Sequence, residues 1–376
     1  MSLTQRISRF MPQPVKQSMK RALQSDTAKT LASPHSVDRY LELFDPAWSL
    51  DEVRATVTQV RRQTPDTVTL TLRPNSNWAS FIPGQFVQLS VEIDGARHTR
   101  CYSPANSLHR KDGHIEITAK THANGFVSKY LREQVCTGDV LLLSQADGEF
   151  ALPQPRPDRV LLISGGSGIT PVMSMLRTLC DEGHQGAITF LHYANTLDDM
   201  LYADELMALQ AAHDNVTVLR CFNNDDRGEL QGLFSLEHLQ QWVPDFADAQ
   251  AFLCGPPPMM NAVEATWQEQ GIAGQLFKES FSAEPVIVDS DSAEGEVRFQ
   301  HSERLAVNNG DTLLAQAENA GLTPKYGCRM GICHACTCKK VSGQVRDVRN
   351  GQLSGQGEEE IRICVSVPVG TVTLAL

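Results

Sequence analysis

Five cysteines fall in the last fifty residues of this chain. Cys328, Cys333 and Cys336 stand at the spacing C-x4-C-x2-C within K-Y-G-C-R-M-G-I-C-H-A-C-T-C, and Cys364 follows in I-R-I-C-V-S-V-P. Four thiolates so spaced suit a [2Fe–2S] cluster. Ferric iron takes soft anionic sulfur. Gly327 and Gly331 let backbone amides approach the sulfurs, where hydrogen bonds offset the negative charge of the cluster. A zinc site would ordinarily show two C-x2-C pairs or added histidines. A Rieske centre needs two histidines on one iron, and only His334 is near. Cys338, next to a ligand, reads as an inert neighbour.

A second group of residues lies mid-chain. Ser164 to Pro171 reads S-G-G-S-G-I-T-P between an apolar run and a helical pattern. Gly165, Gly166 and Gly168 would let the backbone come close to a pyrophosphate, with a helix N-terminus supplying amide donors. Thr170 and Pro171 suit the N-cap and first helical position. The run departs from G-x-G-x-x-G, because Pro171 takes the place of the third glycine. Later, C-G-P-P-P-M-M starts at Cys254, where a strand should end, which is the ligand-binding end of an open α/β sheet. A third group is T-R-C-Y-S-P, residues 99–104. Arg100 can pair with a phosphate, Tyr102 can stack on a ring, and Ser103 can hydrogen-bond a ring nitrogen.

The elements that position these groups follow from the pattern. Residues 53–60, 67–72, 85–93, 114–120 and 139–144 are rich in Val, Thr, Ile and Leu and are separated by turns, which predicts an antiparallel sandwich or barrel over 51–155. A helix is expected at 126–134. Strands at 160–164, 187–193, 216–221, 249–254 and 275–278 alternate with helical stretches, which predicts a doubly wound parallel sheet over 156–283. Residues 284–295 read as a linker. Residues 296–376 mix short strands with one helix, 312–320, and hold the cysteine cluster. Residues 1–50 read as a basic, helical arm. Over 1–25 there are five Lys/Arg and no Asp/Glu, a pattern fitting a packed helix, a membrane-surface segment or a transit peptide.

The chain has 376 residues, 41% hydrophobic and 20% charged, with a net charge of −11. That composition is globular, and the acidic balance argues against nucleic acid as a partner. No run of about 18 apolar residues predicts a membrane span. Ten cysteines without a secretory signal point to a reducing, cytoplasmic compartment.

Together the three motifs, in this order, resemble the ferredoxin–NADP reductase superfamily with a plant-type ferredoxin domain at the C-terminus. The resemblance covers residues 51–376. It implies an antiparallel β-barrel flavin domain, a parallel α/β NAD(P) domain and an α+β β-grasp [2Fe–2S] domain. Arg100 would meet the flavin phosphates, Tyr102 the isoalloxazine ring and Ser103 its N5. Gly125, Val127 and Ser128 in N-G-F-V-S-K would bind the FAD pyrophosphate, with Lys120 as a further contact. FAD is implied, although some relatives with this domain order use FMN. Gly165, Gly166, Gly168, Thr170 and Pro171 would hold NAD(P). Cys254, Gly255 and Pro256 would lie by the nicotinamide, and Glu279 and Phe281 near the flavin. Ser103, Cys254 and Glu279 are the expected catalytic residues, and Cys328, Cys333, Cys336 and Cys364 the metal ligands.

Hydride would pass from NAD(P)H to FAD and single electrons through [2Fe–2S] to a partner protein. The segment P-H-S-V-D-R-Y-L-E-L, with the motifs above, is similar to NADPH-dependent reductases of membrane acyl-CoA desaturases. That implies NADPH, with NADH as the alternative, and peripheral contact with the inner face of the membrane. The end of the second strand, Tyr193-Ala194-Asn195-Thr196, carries no acid until Asp198, and Arg220 or Arg227 would have to meet a 2′-phosphate. Soluble Rieske oxygenases, a cytochrome P450 and a hybrid-cluster protein are the alternative partners. A redox-sensing module without turnover is the non-enzymatic alternative.

Overall fold

The computed structural model describes residues 22–33, 35–121, 125–281, 294–327, 331, 334–349 and 351–376. Cys328 and Cys333, residues 1–21 of the basic arm and most of the 284–295 linker lie outside them. The described residues form two compact units. The first takes in 22–97, 102–156 and 170–185, and the second 98–101, 157–169 and 186–376.

In the first unit, alternating and continuous apolar runs form the expected strands. They are β1 (Val53–Thr64), β2 (Thr67–Pro74), β3 (Val87–Ile93), β5 (Ile115–Lys120) and β6 (Val140–Leu143), and a further strand, β4 (Ala96–Tyr102), joins their sheet in the order β4-β3-β6-β1-β2-β5. The pairs β1–β2, β1–β6, β2–β5 and β3–β6 are antiparallel. A bridge between Pro104 and Ile117 joins the segment after β4 to β5. The two ends of the strand order therefore meet, and the sheet curls into a partial barrel. Val53, Ala55 and Val57 point inward at alternate positions of β1 and pack with Leu70, Leu89, Ile117 and Leu143. The helix Phe126–Glu133 adds Val127 and Leu131 to this core. β4 was not among the expected strands, because A-R-H-T-R-C-Y has no apolar alternation. Asp94 and Gly95 precede it with φ of 52° and 74°, the left-handed pair that a two-residue hairpin requires.

Residues 22–52 are tied to the same unit. Helices Asp26–Ala32 and Val37–Leu41 are capped by Ser25 and Ser36. Asp38 accepts from Ser49 Oγ at 2.6 Å and Leu50 N–H at 2.8 Å, and Arg54 pairs with Glu42 and Glu52. The basic stretch on which the packed-helix, membrane-surface and transit readings turn, residues 1–21, lies outside the described residues.

The unit also includes residues 170–185, from the helix Ile169–Asp181. Ser174 Oγ donates to the Asn106 carbonyl at 2.7 Å, and the Thr178 hydroxyl accepts from Leu108 N–H at 3.0 Å. Arg177 reaches the Ala105 carbonyl at 2.6 Å and the buried Glu116 carboxylate at 3.0 Å. The helix begins at Ile169, after a tight turn over Gly166–Gly168. Thr170 and Pro171 therefore occupy its first turn, not the N-cap and first position expected from sequence. The glycines wind the chain one step earlier than the threonine signal suggested.

The second unit holds a parallel sheet. It is built from β7 (Arg159–Gly165), β8 (Ala187–Ala194), β9 (Val216–Phe222), β10 (Leu230–Gln231), β11 (Gln250–Cys254) and β12 (Leu276–Glu279), ordered β10-β9-β8-β7-β11-β12. Strand order reverses beside β7, which has β8 on one side and β11 on the other. That is the switch point at whose carboxyl end such sheets bind ligands. Leu161, Ile163, Leu191, Leu253 and Trp267 form its core.

The same unit holds β13 (Glu296–Phe299), β14 (Arg304–Val307), β15 (Thr337–Asp347), β16 (Glu359–Arg362) and β17 (Ser366–Leu374), ordered β14-β13-β17-β15-β16. β13 and β17 are parallel and the other pairs antiparallel. The helix Leu313–Asn319, capped by Thr312, buries Leu313, Leu314 and Ala317 in that core. This mixed sheet with one packed helix is the expected β-grasp.

Candidate flavin, nicotinamide and iron–sulfur sites

In the first unit, Ser103 follows β4 and is 1% exposed, and its Oγ has no hydrogen-bond partner among the described residues. An unpaired buried hydroxyl costs about 1–3 kcal/mol, so this atom suits a polar atom of a bound group. Tyr102, at the end of β4, packs against the barrel core. Gly125 is the N-cap of Phe126–Glu133 and brings no side-chain cap. Helix N-termini offer amides to phosphate oxygens. Val127 is buried beneath this turn, and Ser128 Oγ stands 3.5 Å from the Gly125 carbonyl. Lys120, at the end of β5, pairs with Asp66 at 3.3 Å. These residues fit a flavin with a pyrophosphate tail.

In the second unit, the Arg100 guanidinium donates to the carbonyls of Thr99 at 2.8 Å and Gly327 at 3.2 Å.

The glycine loop closes β7. Gly166 has φ of +53°, in the left-handed region that glycine occupies freely. A Cβ at Gly168 would stand 2.5 Å from the Cys254 carbonyl carbon, and one at Gly165 would stand 2.8 Å from Pro256 Cδ. The two motifs that the sequence places ninety residues apart are thus packed backbone to backbone at the carboxyl ends of β7 and β11. Behind them, Ser164 Oγ and His192 Nδ1 lie 2.8 Å apart and are fully buried. Burial pushes the Cys254 thiol well up, and Glu279 adds to the effect. Glu279 stands in register with Cys254 on β12. The thiol therefore stays protonated and acts as a neutral neighbour, not as a nucleophile. Phe281 follows β12, half-buried. This crevice fits a nicotinamide nucleotide.

At the third sheet, Cys336 and Cys364 are both buried, with sulfurs 3.0 Å apart. Cys336 immediately precedes β15, and Cys364 lies between β16 and β17. The Ile363 N–H donates to the Cys336 carbonyl at 3.3 Å, and Leu314 N–H to the Ile363 carbonyl at 2.9 Å. Gly331 has φ of +71°, and a Cβ there would meet the Val365 methyls. Its carbonyl accepts from Arg349 at 3.0 Å and also from Arg362. Two soft sulfurs in a buried turn, with a glycine beside them, suit the cluster. The sequence reading missed both arginines, and nothing in their spacing marks them. Cys338 points into the same core. His334 takes φ of 55°, and its carbonyl accepts from Thr337.

Comparison with known proteins agrees with this geometry. Residues 54–151 match the oxidoreductase FAD-binding domain, 162–265 the oxidoreductase NAD-binding domain, and 298–369 the 2Fe-2S iron-sulfur cluster binding domain. An NADPH oxidoreductase of Mycobacterium tuberculosis is 34% identical over 92% of this chain and 90% of the relative. The chain belongs to the ferredoxin-reductase superfamily. A glycine betaine monooxygenase reductase subunit of Chromohalobacter salexigens is 32% identical, over 78% of this chain and 87% of the relative. The solved phthalate dioxygenase reductase, 22% identical, has the same fold with a TM-score of 0.55 across 86% of this chain and 98% of its own. This reductase is an NAD(P)H-dependent oxidoreductase that carries FAD and a [2Fe–2S] cluster. Among its described residues, no helix is long and apolar enough to cross a membrane.

Proposed function

We propose that this reductase supplies electrons to an oxygenase component. The observation that carries the reading is the similarity, along 87% of the relative, to a reductase subunit of a monooxygenase. Neither relative named above is described as a desaturase partner, so the acyl-CoA desaturase expected from the N-terminal segment takes second place.

When bound, FAD converts the two-electron chemistry of nicotinamide into the one-electron chemistry of an iron–sulfur cluster. The chain's own residues do the rest. Ser103 gives its unpaired hydroxyl to the flavin ring and fixes the ring's orientation. Gly125, Val127 and Ser128 receive the pyrophosphate on the first turn of their helix. Gly165, Gly166 and Gly168 hold the nucleotide close to the backbone, with Thr170 and Pro171 in the first turn of the helix behind them. Gly255 and Pro256 form the wall beside the nicotinamide. Cys254, kept neutral, and the buried Glu279 set the local field. Cys336 and Cys364, with Cys328 and Cys333, hold the cluster. A monooxygenase fed this way balances as one NAD(P)H, one proton, one O2 and one C–H bond giving NAD(P)+, water and an alcohol.

The test uses purified holoprotein with NAD(P)H. A Rieske-type monooxygenase component with its substrate is compared with desaturase-containing membranes supplied with stearoyl-CoA and depleted of their own reductase. Hydroxylated product that requires this chain supports the proposal. Unsaturated product in the membranes, with no turnover by the oxygenase, overturns it in favour of the desaturase.

A further inference from the structure

We propose that this chain takes NADH in preference to NADPH, because the ribose end of its nucleotide crevice is walled by carboxylates and its candidate arginines are already neutralised. The inference rests on the reading of the glycine loop as a dinucleotide site.

A cavity of about 590 Å³ opens where β8 and β9 end, lined by Thr196, Asp198, Asn223, Asp225, Asp226 and Arg227 among others. β7 carries the glycine loop, so β8 is the second strand of the nucleotide-binding half. In such sheets the residues just past the second strand meet the adenosine ribose. A carboxylate there accepts hydrogen bonds from its hydroxyls, whereas a cation there takes a 2′-phosphate. The cavity has three carboxylates to one guanidinium.

That guanidinium is not free for a phosphate. Arg227 Nε lies 2.8 Å from Asp225 Oδ1, and its Nη2 lies 2.5 Å from Asp225 Oδ2. A second carboxylate, Asp198, is 3.6 Å away with its side chain 85% exposed. Asp225 is itself locked. Its side chain is only 7% exposed, and it accepts the backbone N–H groups of Leu197 and Arg227, each at 3.0 Å. The other arginine of the sequence reading, Arg220, is held two-pronged by Glu229 at 3.0 and 2.6 Å. A dianionic 2′-phosphate would have to break one of these paired forks and would still face Asp198 and Asp226. A free ribose donates its hydroxyls to Asp198 without breaking anything.

The first measurement is binding of two nucleotide fragments to the purified holoprotein by calorimetry, with no electron transfer involved. ADP should bind more tightly than 2′,5′-ADP by about tenfold, the scale of one lost charge-assisted pairing. The second is stopped-flow flavin reduction, in which NADH should exceed NADPH in kcat/KM by a similar factor. Asp225→Asn should release Arg227 and narrow that ratio, chiefly through a lower KM for NADPH. Arg227→Ala should leave the KM for NADPH within twofold. Equal or tighter binding of 2′,5′-ADP, equal or better use of NADPH, or a tenfold rise in the NADPH KM of Arg227→Ala overturns the inference alone. Failure of both fragments to bind and of both coenzymes to reduce the flavin overturns the dinucleotide reading beneath it.

Discussion

Lys340 is fully buried on β15, four residues after the cluster ligand Cys336. Its ammonium donates to three backbone carbonyls: Gly343 at 2.9 Å, Gly355 at 2.9 Å and Gly357 at 2.5 Å. The strand alternates, so Lys340 shares the buried side with Cys338. Lys340→Met keeps the stem and removes the donor. Hydrogen bonds from a charged donor contribute about 1.5–3 kcal/mol each, but a buried ammonium carries a desolvation penalty of several kcal/mol that the substitution relieves. Water reaching the loop at Gly355 and Gly357 recovers more. The net loss is therefore about 2–4 kcal/mol, less than the sum of three bonds. For a region of roughly 80 residues that lowers the thermal midpoint by roughly 10–30 °C. The assay is visible circular dichroism of the bound cluster during heating, with flavin fluorescence followed in parallel. Lys339→Met is the control, because Lys339 is half-exposed and pairs with Glu358 at the surface, an interaction worth about 0–1 kcal/mol. If Lys340→Met bleaches within about 2 °C of the control, the cage contributes nothing and the reasoning fails.

The remaining predictions concern the sites and acid stability. Ser103→Ala should leave the flavin-free protein at least as stable as before, since the hydroxyl has no partner among the described residues, but slow flavin reduction about tenfold or more; an unchanged stopped-flow rate removes Ser103 from the mechanism. Gly168→Ala drives a methyl into the Cys254 carbonyl, and calorimetry should show nucleotide binding lost while the cluster spectrum stays intact. Cys364→Ser should abolish the cluster spectrum but preserve flavin content; a normal iron count would show that another residue ligates. A hydrogen bond from Arg156 holds the Glu182 carboxyl at about 2, overcoming burial, with His109 assisting. The native value is depressed, so its stabilisation is complete above the ordinary carboxylate range and drains away as pH falls toward 2. Glu182→Gln should flatten that part of the stability profile, measured by urea unfolding at pH 5 and pH 3, and an unaltered slope would show that the pair is energetically idle.

Most strands carrying the sites were legible because burial wrote them twice, as β-branched content and as period. β1, β7, β9 and β11 begin and end within a few residues of the apolar runs at 53–60, 160–164, 216–221 and 249–254. β4 was illegible, although it ends on the R-x-Y-S residues, since Arg97, His98, Thr99 and Arg100 show no buried face. Only the Asp94-Gly95 turn announced it. Motif residues were readable as types at spacings, yet their packing was not: no local pattern sets Gly168 against Cys254. Lys340 and Asp225 went unread for a related reason. A lysine in C-K-K or an aspartate in N-N-D-D-R ordinarily faces water, and what fixes these two is a ring of carbonyls and a fork of donors from residues folded onto them.

The helix Ile169–Asp181 has a bearing on how this gene is cut and joined. The FAD-binding family match ends at residue 151, whereas the first unit includes residues 170–185. A fragment stopped near residue 156 loses Ser174, Arg177 and Thr178. It leaves the Asn106 carbonyl, Leu108 N–H and buried Glu116 without those partners. Met175 Cε, near which even a Cβ on Gly84 would stand only 2.5 Å away, would also be gone. The flavin half is therefore not a contiguous cassette. Swapping coenzyme halves between relatives at the nominal border would transplant a helix grown for another barrel, while a crossover after residue 185 would part β7 and its glycine loop from β8 and β11, so functional chimeras should exchange the two halves together.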